Sequence, residues 1–246
     1  MLHRCTVRFL LIIALSLLGS APGVAQPASY QVAEVGDGGS VTGRVSYSGT
    51  APAVETLVVS SDNEVCGTEK PSRVLLIGPD GGIENTVVHI RTIKSGKAWP
   101  QERHTLGQDD CRFEPHILLM NPEADLYISN TDRIAHNVRS YGQGPVFNVG
   151  QPKFVETLFV ENLSAQVANP DVIRIGCDLH PWMSAYIVIK EHPYYVVTGP
   201  DGSFELTNVP PGKYELRVWH ETLGEVERAV TVKANEATEI NFEMSR

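Results

Sequence analysis

The sequence predicts an all-β protein, and two observations support this fold class. Apolar and polar residues alternate in short runs from Ser40 to the C-terminus, which is the two-residue period of half-buried strands. Gly, Pro, Asn and Asp separate these runs where turns are expected, whereas the period of amphipathic helices is almost absent. We therefore expect short strands joined by turns over nearly the whole chain.

The N-terminal β region, residues 26–105, contains two clear strand patterns. Residues 41–47 and 87–90 are rich in apolar side chains that suit a pleated sheet. The polar stretch 101–110 is predicted to be a loop.

The middle region, residues 106–190, has longer apolar runs. Strands are predicted over residues 112–120, 125–129, 156–159, 172–175 and 185–189. The last two of these strands flank a short loop that contains most of the candidate functional residues.

The C-terminal region, residues 191–246, begins near a boundary at Glu191-His192-Pro193. Turn residues at 199–202 and 209–212 separate its alternating strands. About 55 residues with two hairpins give little core for a free-standing sandwich. We therefore expect this region to pack on other parts of the chain.

Residues 1–25 have the three parts of a secretory signal peptide. Arg4 and Arg8 give a basic start, an apolar run covers residues 9–18, and Gly23-Val24-Ala25 is a small-residue cleavage site. The apolar run is too short to span a bilayer, which needs about 20 residues. We predict a periplasmic or secreted protein with no membrane anchor after signal cleavage.

The net charge limits the classes of partner. Loss of two of the 20 basic residues with the signal changes the charge from −9 to 18 − 29 = −11. Nucleic acids need basic patches, so we expect no nucleic-acid partner. An acidic surface is compatible with a basic redox partner protein.

Four residues with metal-binding side chains have an informative spacing. Cys177, His180 and Met183 follow at steps of three, and His136 lies far upstream. A thiolate, two imidazoles and a thioether are the ligand set of a blue-copper site, with Met as a weak axial ligand. Side chains alternate faces along a strand, so ligands at this spacing converge only from a tight loop, which Pro181 favours. We predict one copper ion here, because structural zinc rarely recruits Met.

The cysteine count is consistent with this site. Cleavage removes Cys5 and leaves Cys66, Cys111 and Cys177. Outside the cytosol two cysteines usually pair, and Cys177 already has a function as a thiolate ligand. We predict a Cys66–Cys111 disulfide; three unrelated thiols are the alternative.

The motifs around the ligands resemble those of the cupredoxins, and the short Cys-x-x-His-x-x-Met loop resembles that of the amicyanin and plastocyanin-like members. The resemblance covers about residues 111–190. It implies a Greek-key β-sandwich and one type 1 copper. It also implies that Asn137, directly after the first His, helps to hold the ligand loop and contacts the thiolate.

The C-terminal run from Thr198 to Val218 resembles the carboxypeptidase regulatory-like, transthyretin-like module, a small β-sandwich. That module normally opens with a Gly-x-Val-x-Gly-x-Val strand. The motif is missing after Glu191 but occurs at residues 39–45. We therefore expect residues 40–48 to pair with residues 194–246, with the cupredoxin inserted between them.

Other candidate residues have simpler interpretations. His89 and His116 suggest a second metal site, but lone strand histidines are more often structural. The sequence context of His104, His192 and His220 predicts surface positions, and Asp132 is read as a turn residue. Pro181 and Trp182 flank His180; they form either an electron-transfer patch around an exposed imidazole edge or ordinary loop packing.

Three kinds of function remain open for the chain. A one-electron carrier needs one metal and no open ligand position, and we expect no enzymatic activity because the His-x-His pairs of multicopper enzymes are missing. The alternatives are a copper-handling protein, or a structural protein whose C-terminal module docks to a partner or a glycan.

Overall fold

The computed structural model describes residues 30–142, 147–166 and 171–246. The predicted signal peptide, residues 1–25, lies outside the described residues. The all-β fold class is confirmed, because the described helices are limited to α1 (Asn63–Cys66) and a 3₁₀ turn (Leu163–Gln166). In the part of the chain that the structure describes, no helix has the length and hydropathy to cross a membrane.

The strands of the described residues are, in chain order, β1 (Gln31–Val32), β2 (Gly39–Tyr47), β3 (Thr56–Val58), β4 (Glu69–Pro71), β5 (Val87–Ile90), β6 (Ser95–Gly96), β7 (His104–Asp109), β8 (Arg112–Glu114), β9 (Ile117–Met120), β10 (Leu126–Asn130), β11 (His136–Tyr141), β12 (Asn148–Gln151), β13 (Thr157–Val160), β14 (Val172–Gly176), β15 (Ser184–Ile189), β16 (Tyr195–Val197), β17 (Ser203–Val209), β18 (Gly212–His220), β19 (Gly224–Val232), β20 (Ala237–Glu239) and β21 (Phe242–Met244).

The first sandwich is built from strands that are continuous in sequence. One sheet has the order β13-β10-β7-β8 and the other the order β12-β11-β14-β15-β9. Inward side chains of both sheets form one buried cluster, which includes Leu106, Ile128, Ile175 and Ile187. Alternate residues of each strand supply this core, as the period-two pattern requires.

The second sandwich is discontinuous in sequence. Its sheets have the orders β16-β5-β18-β19 and β17-β2-β20, with β21 also paired to β2. The pairing of β2 with β17 is antiparallel, and Val45 lies in register with Phe242 of β21. The predicted pairing of residues 40–48 with the C-terminal strands is therefore confirmed. The first sandwich lies between these two parts in sequence.

The two sandwiches pack against each other through a small apolar cluster. Val87 of the second sandwich is buried together with Ile117 and Val188 of the first. The rings of Tyr186 and Trp219 make an edge-to-face contact across it, with centroids 5.2 Å apart. Such pairs stabilise by about 0.5–1.5 kcal/mol beyond their buried area.

The prediction of a loop at residues 101–110 was wrong, because His104–Asp109 form strand β7 in the interior of a sheet. The alternation was hidden because two of the three inward residues are polar. Buried Gln108 donates to the Ser129 carbonyl at 3.2 Å, and buried His104 accepts from the Asn121 N–H at 3.3 Å. Polar residues can be buried in this way when they are hydrogen-bonded.

The predicted surface positions of His104, His192 and His220 were also wrong, since all three side chains are buried. Burial lowers the pKa of His192 to about 4 and that of His220 to about 4. His89 is buried as well; desolvation, assisted by Lys190, lowers its pKa to about 3. Tertiary packing of the two sandwiches covers these rings, and no local pattern of the sequence indicates it.

The predicted disulfide is confirmed, because Cys66 and Cys111 are bonded and Cys177 is a free, buried cysteine. Cys66 ends helix α1, and Cys111 lies in the turn between β7 and β8. The disulfide therefore fastens the N-terminal region to the first sandwich.

Removal of the disulfide should destabilise the protein. The bond joins residues 45 positions apart, and closure of a loop of this length is worth about 4 kcal/mol in the chain-entropy model. We expect the double variant Cys66→Ala/Cys111→Ala to lose about that free energy of unfolding in urea titrations of the metal-free protein. Peptide mapping without reductant is the accompanying check; free alkylation of both thiols in native protein would contradict the bond.

Stability should fall in mild acid because of the buried histidines. His89, His192 and His220 stay neutral when folded but take up protons below pH 6.5 when unfolded, so the unfolded state binds more protons between pH 6.5 and about 4. The free energy of unfolding should therefore decrease as the pH falls through this window. Each additional proton contributes a slope of up to about 1.4 kcal/mol per pH unit.

Urea titrations of the wild type and His89→Leu between pH 4 and 7 test this expectation. The variant removes one of the three groups and should show a shallower slope in the acid range. Equal slopes would mean that His89 is not held neutral by burial.

Candidate metal centre

The ligand loop, residues 177–183, connects two hydrogen-bonded neighbouring strands. Strand β14 ends at Gly176 and β15 begins at Ser184, and these two residues are register partners. The loop therefore leaves and re-enters the sheet at one point. A turn inside it is closed by the Met183 N–H, which donates to the His180 carbonyl at 2.9 Å. The predicted loop between two strands is confirmed.

His136 reaches this loop from the adjacent strand. It is the first residue of β11, which pairs antiparallel with β14, with Arg139 opposite Gly176. The start of β11 is therefore beside the end of β14, where Cys177 begins the loop. The sheet order thus brings together side chains separated by about 40 residues.

Three of the four predicted ligands converge in the interior. One ligand atom each from His136, Cys177 and His180 lies within 4.8 Å of the others, and the three residues are 1%, 2% and 0% exposed. The two Nδ1 atoms are 2.9 Å apart, and the Cys177 Sγ is 3.7 Å from the His180 Nδ1. Two nitrogens bound at about 2 Å to a shared metal ion have a similar separation.

Met183, the fourth predicted ligand, is 2% exposed. It belongs to the same buried cluster of the first sandwich as Cys177. It thus lies in the same loop as Cys177 and His180 and in the same core cluster as Cys177.

The outer nitrogen of each histidine ring is held by a carboxylate. The Nε2 of His136 is 2.9 Å from Asp132 Oδ2, and the Nε2 of His180 is 2.9 Å from Asp62 Oδ2. Sequence reasoning missed both acidic residues. Asp132 was read as a turn residue, and Asp62 lies 118 positions from its partner, so no local signal could have found it.

These carboxylates decide the tautomers and provide a test of the fit to a metal. A neutral imidazole carries one proton, and an Nε2–H donated to a carboxylate leaves the Nδ1 as an acceptor. Two unprotonated Nδ1 atoms at 2.9 Å would repel, unless a proton or a metal cation lies between them. The donor set of two imidazoles, a thiol and a thioether therefore fits a copper ion.

A proton held between the two rings satisfies the same constraint. Burial lowers the pKa of His136, but hydrogen bonds with Asp132 and Cys177 outweigh it and raise that pKa to about 9. Burial raises the pKa of Cys177, but the hydrogen bond with His136 and nearby backbone N–H groups lower it below the usual range. A bound metal cation would displace the proton and bind the sulfur of Cys177 as a thiolate.

Asn137 holds the ligand loop, as the resemblance implies. Its side-chain oxygen accepts from the Asp178 N–H at 2.7 Å and lies 3.3 Å from the Cys177 Sγ. Its backbone N–H also approaches this sulfur, at 3.5 Å. Hydrogen bonds to a ligand sulfur are among the contacts that tune a copper thiolate.

The surroundings of His180 differ from the expected patch with an exposed imidazole edge. Pro181 is exposed and Trp182 half-buried, but the ring of His180 is fully buried. Trp182 stacks at a tilt on His180, with centroids 5.0 Å apart, and its Nε1–H donates to the Cys111 carbonyl at 3.2 Å. Trp182 thus packs the loop on the disulfide region.

The remaining candidate residues do not join this site. His116 pairs with Glu221 of the second sandwich, and both side chains are buried. The Nδ1 of buried His89 has no hydrogen-bond partner among the described residues. A second group with metal-ligand spacing, Cys111, Asp132 and His136, overlaps the first, and the sulfur of Cys111 is already in the disulfide.

Comparison with solved structures returns copper proteins at low similarity. A Cu-containing nitrite reductase from Thermus scotoductus SA-01 is 19% identical, with a TM-score of 0.32, over 39% of this chain and 24% of that chain. Amicyanin from Paracoccus versutus is 15% identical, with a TM-score of 0.30, over 37% and 84% of the two chains. A purple cupredoxin from Nitrosopumilus maritimus is 16% identical, with a TM-score of 0.29, over 35% and 99%. This chain thus spans about a quarter of the nitrite reductase chain.

No curated protein matches the sequence. A family model does match the C-terminal part, over residues 180–245. The matched part includes β16 to β21, and β2 and β5 of the same sandwich lie outside it. The C-terminal part of this all-β chain is thus similar to the carboxypeptidase regulatory-like domain.

Proposed function

We propose that the chain is an exported type 1 copper protein that transfers single electrons. The observation that supports this most strongly is the convergence of His136, Cys177 and His180 in a buried site next to Met183. When bound there, copper would supply a one-electron couple between Cu(I) and Cu(II). The role of the protein is to hold the ligands in one geometry for both states.

The residues of the site have separate roles in this proposal. Cys177 would hold the copper ion as a thiolate, His136 and His180 would bind it through their Nδ1 atoms, and the thioether of Met183 would tune the reduction potential as the weakest ligand. Asn137 restrains the thiolate through the contacts at 3.3 and 3.5 Å. Because the ligands are anchored to two paired strands and packed in a core, little reorganisation accompanies a change of charge.

A carrier suits this site better than an enzyme. Catalytic metal sites keep an open ligand position, whereas the ligand set proposed here supplies every position of a type 1 centre. The three clustered ligands are at most 2% exposed, which favours electron transfer over substrate binding. We therefore propose that the chain is not an enzyme.

The cellular setting is part of the same proposal. The signal-like residues 1–25 indicate export to the periplasm or beyond, and the disulfide suits that compartment. The partner would be a redox protein with a surface compatible with the acidic surface of this protein. The proposal includes no nucleic-acid partner and no membrane anchor after signal cleavage. The second sandwich would serve as a scaffold or a docking module.

The purified protein with Cu(II) should be blue. Thiolate-to-copper charge transfer should give intense visible absorption, and the EPR spectrum should show narrow copper hyperfine splitting. Cys177→Ser should abolish the colour while the fold is retained, as judged by circular dichroism. A colourless protein that binds one Zn(II) and refuses copper would contradict the proposed function.

The proposed role of Met183 as a copper ligand has a matched control in Met120. Both methionines are buried in the core of the first sandwich, and Met→Leu exchanges in cores usually cost less than about 1.5 kcal/mol. Met183→Leu should keep copper and raise the reduction potential, whereas Met120→Leu should leave the potential unchanged. Equal potentials in the two variants, measured by spectroelectrochemistry, would remove Met183 from the ligand set.

A further inference from the structure

The side chain of Asp62 contacts His180 and does not cap helix α1. Asp62 is the residue that precedes helix α1, and Asp is a preferred N-cap because its carboxylate accepts from the first helical N–H groups. The Asp62 carboxylate makes no such bond. Its Oδ2 lies instead 2.9 Å from the Nε2 of His180.

The backbone of Asp62 has an uncommon conformation that allows this contact. Its φ angle is 50°, in the left-handed region, which non-glycine residues rarely adopt, although Asp and Asn do so more often than others. The short polar side chain thereby leaves the helix and reaches the ligand loop. The contact with His180 accounts for both the missing cap hydrogen bond and the left-handed backbone of Asp62.

The segment around Asp62, residues 59–72, is anchored to the first sandwich on both sides of this contact. Val59 belongs to the buried core of that sandwich, and Cys66 is bonded to Cys111. Lys70 pairs with Asp110 at 2.6 Å. The segment also touches the ligand loop directly, through the Ser61 hydroxyl, which donates to the Leu179 carbonyl at 3.4 Å.

The contact covers the one edge of His180 that faces out of the site. The His180 ring is fully buried, whereas the Asp62 side chain is 47% exposed. Asp62 contacts His180, and His180 in turn contacts Cys177. The Asp62 carboxylate is therefore the outermost of these three groups.

We propose that Asp62 is a positioning residue for the copper ligand His180, whose Nε2–H it binds so that the Nδ1 stays directed at the metal. This inference rests on the proposed function. Carboxylates that accept from a ligand histidine fix the tautomer and the ring orientation and make the histidine a stronger donor. A stronger donor favours Cu(II) over Cu(I), so Asp62 lowers the reduction potential of the site.

The variant Asp62→Asn tests this role with little strain, because Asn also adopts the left-handed conformation. It keeps the size of the side chain but removes the negative charge. Losing such a contact typically costs 10–100-fold in metal affinity. If the loss falls on Cu(II) alone, each tenfold decrease raises the potential by about 59 mV, measured by spectroelectrochemistry.

Glu64→Gln is the matched control. Glu64 is an exposed acidic residue in the first turn of α1, two positions after Asp62. Both variants remove one negative charge from the same region, and Glu64→Gln leaves the Lys70–Asp110 pair of the segment in place. A potential that rises in Asp62→Asn but not in Glu64→Gln supports the contact. An equal rise in both variants would show a general effect of charge and would overturn the proposal.

A second measurement does not need copper. Nitrogen-15 NMR of the histidine rings in the metal-free protein should show an Nε2–H of His180 that exchanges slowly in the wild type and in Glu64→Gln. The exchange should be at least tenfold faster in Asp62→Ala, which removes the acceptor. Unchanged exchange and an unchanged potential in a blue protein would overturn the role of Asp62 alone, whereas failure of the wild type to become blue would overturn the proposed function.

Discussion

The close approach of the Nδ1 atoms of His136 and His180 is the constraint on which the rest of the site depends. The Nε2 atoms of His136 and His180 lie 2.9 Å from the carboxylates of Asp132 and Asp62, so each ring presents an Nε2–H to its carboxylate. The two Nδ1 atoms, 2.9 Å apart in a buried position, then direct their lone pairs at the same space. A proton or a metal cation between them removes this repulsion. The arrangement therefore specifies a cation site before any metal is considered.

The Cys66–Cys111 disulfide connects the groups that hold the two histidine rings in place. The Cys111 N–H donates to the same Asp132 oxygen that binds His136, and the Cys111 carbonyl accepts from Trp182, which packs on His180. On the other side of the bond, Cys66 lies four residues after Asp62. Both carboxylates are thus fixed relative to the ligand loop by a single covalent link and its hydrogen bonds. The N-terminal region is part of the site as well as part of the second sandwich.

The second sandwich joins the N-terminal and C-terminal parts of the described chain. Strand β2 pairs with β17, β20 and β21 near the C-terminus, so the two ends of the described chain are joined in one sheet system. The buried pair of His116 and Glu221 and the contact of Tyr186 with Trp219 connect this sandwich to the first. Strands β14 and β15, which hold the ligand loop, therefore pack between the core of their own sandwich and the surface of the other. Such packing restricts movement of the loop.

The sequence by itself determined the strands with clean alternation, the ligand loop and the disulfide. The reason is that the spacing of Cys177, His180 and Met183, the period-two pattern and the parity of the cysteines are local or countable properties. The resemblance to the carboxypeptidase regulatory-like module also indicated that β2 belongs with the C-terminal strands, since the opening motif of that module is missing after Glu191 and occurs at residues 39–45. Only the tertiary structure decided that β7 is a strand with polar inward residues and that three histidines expected at the surface are buried. It alone placed Asp62 against His180, because a contact between residues 118 positions apart depends on how the N-terminal segment folds over the sandwich.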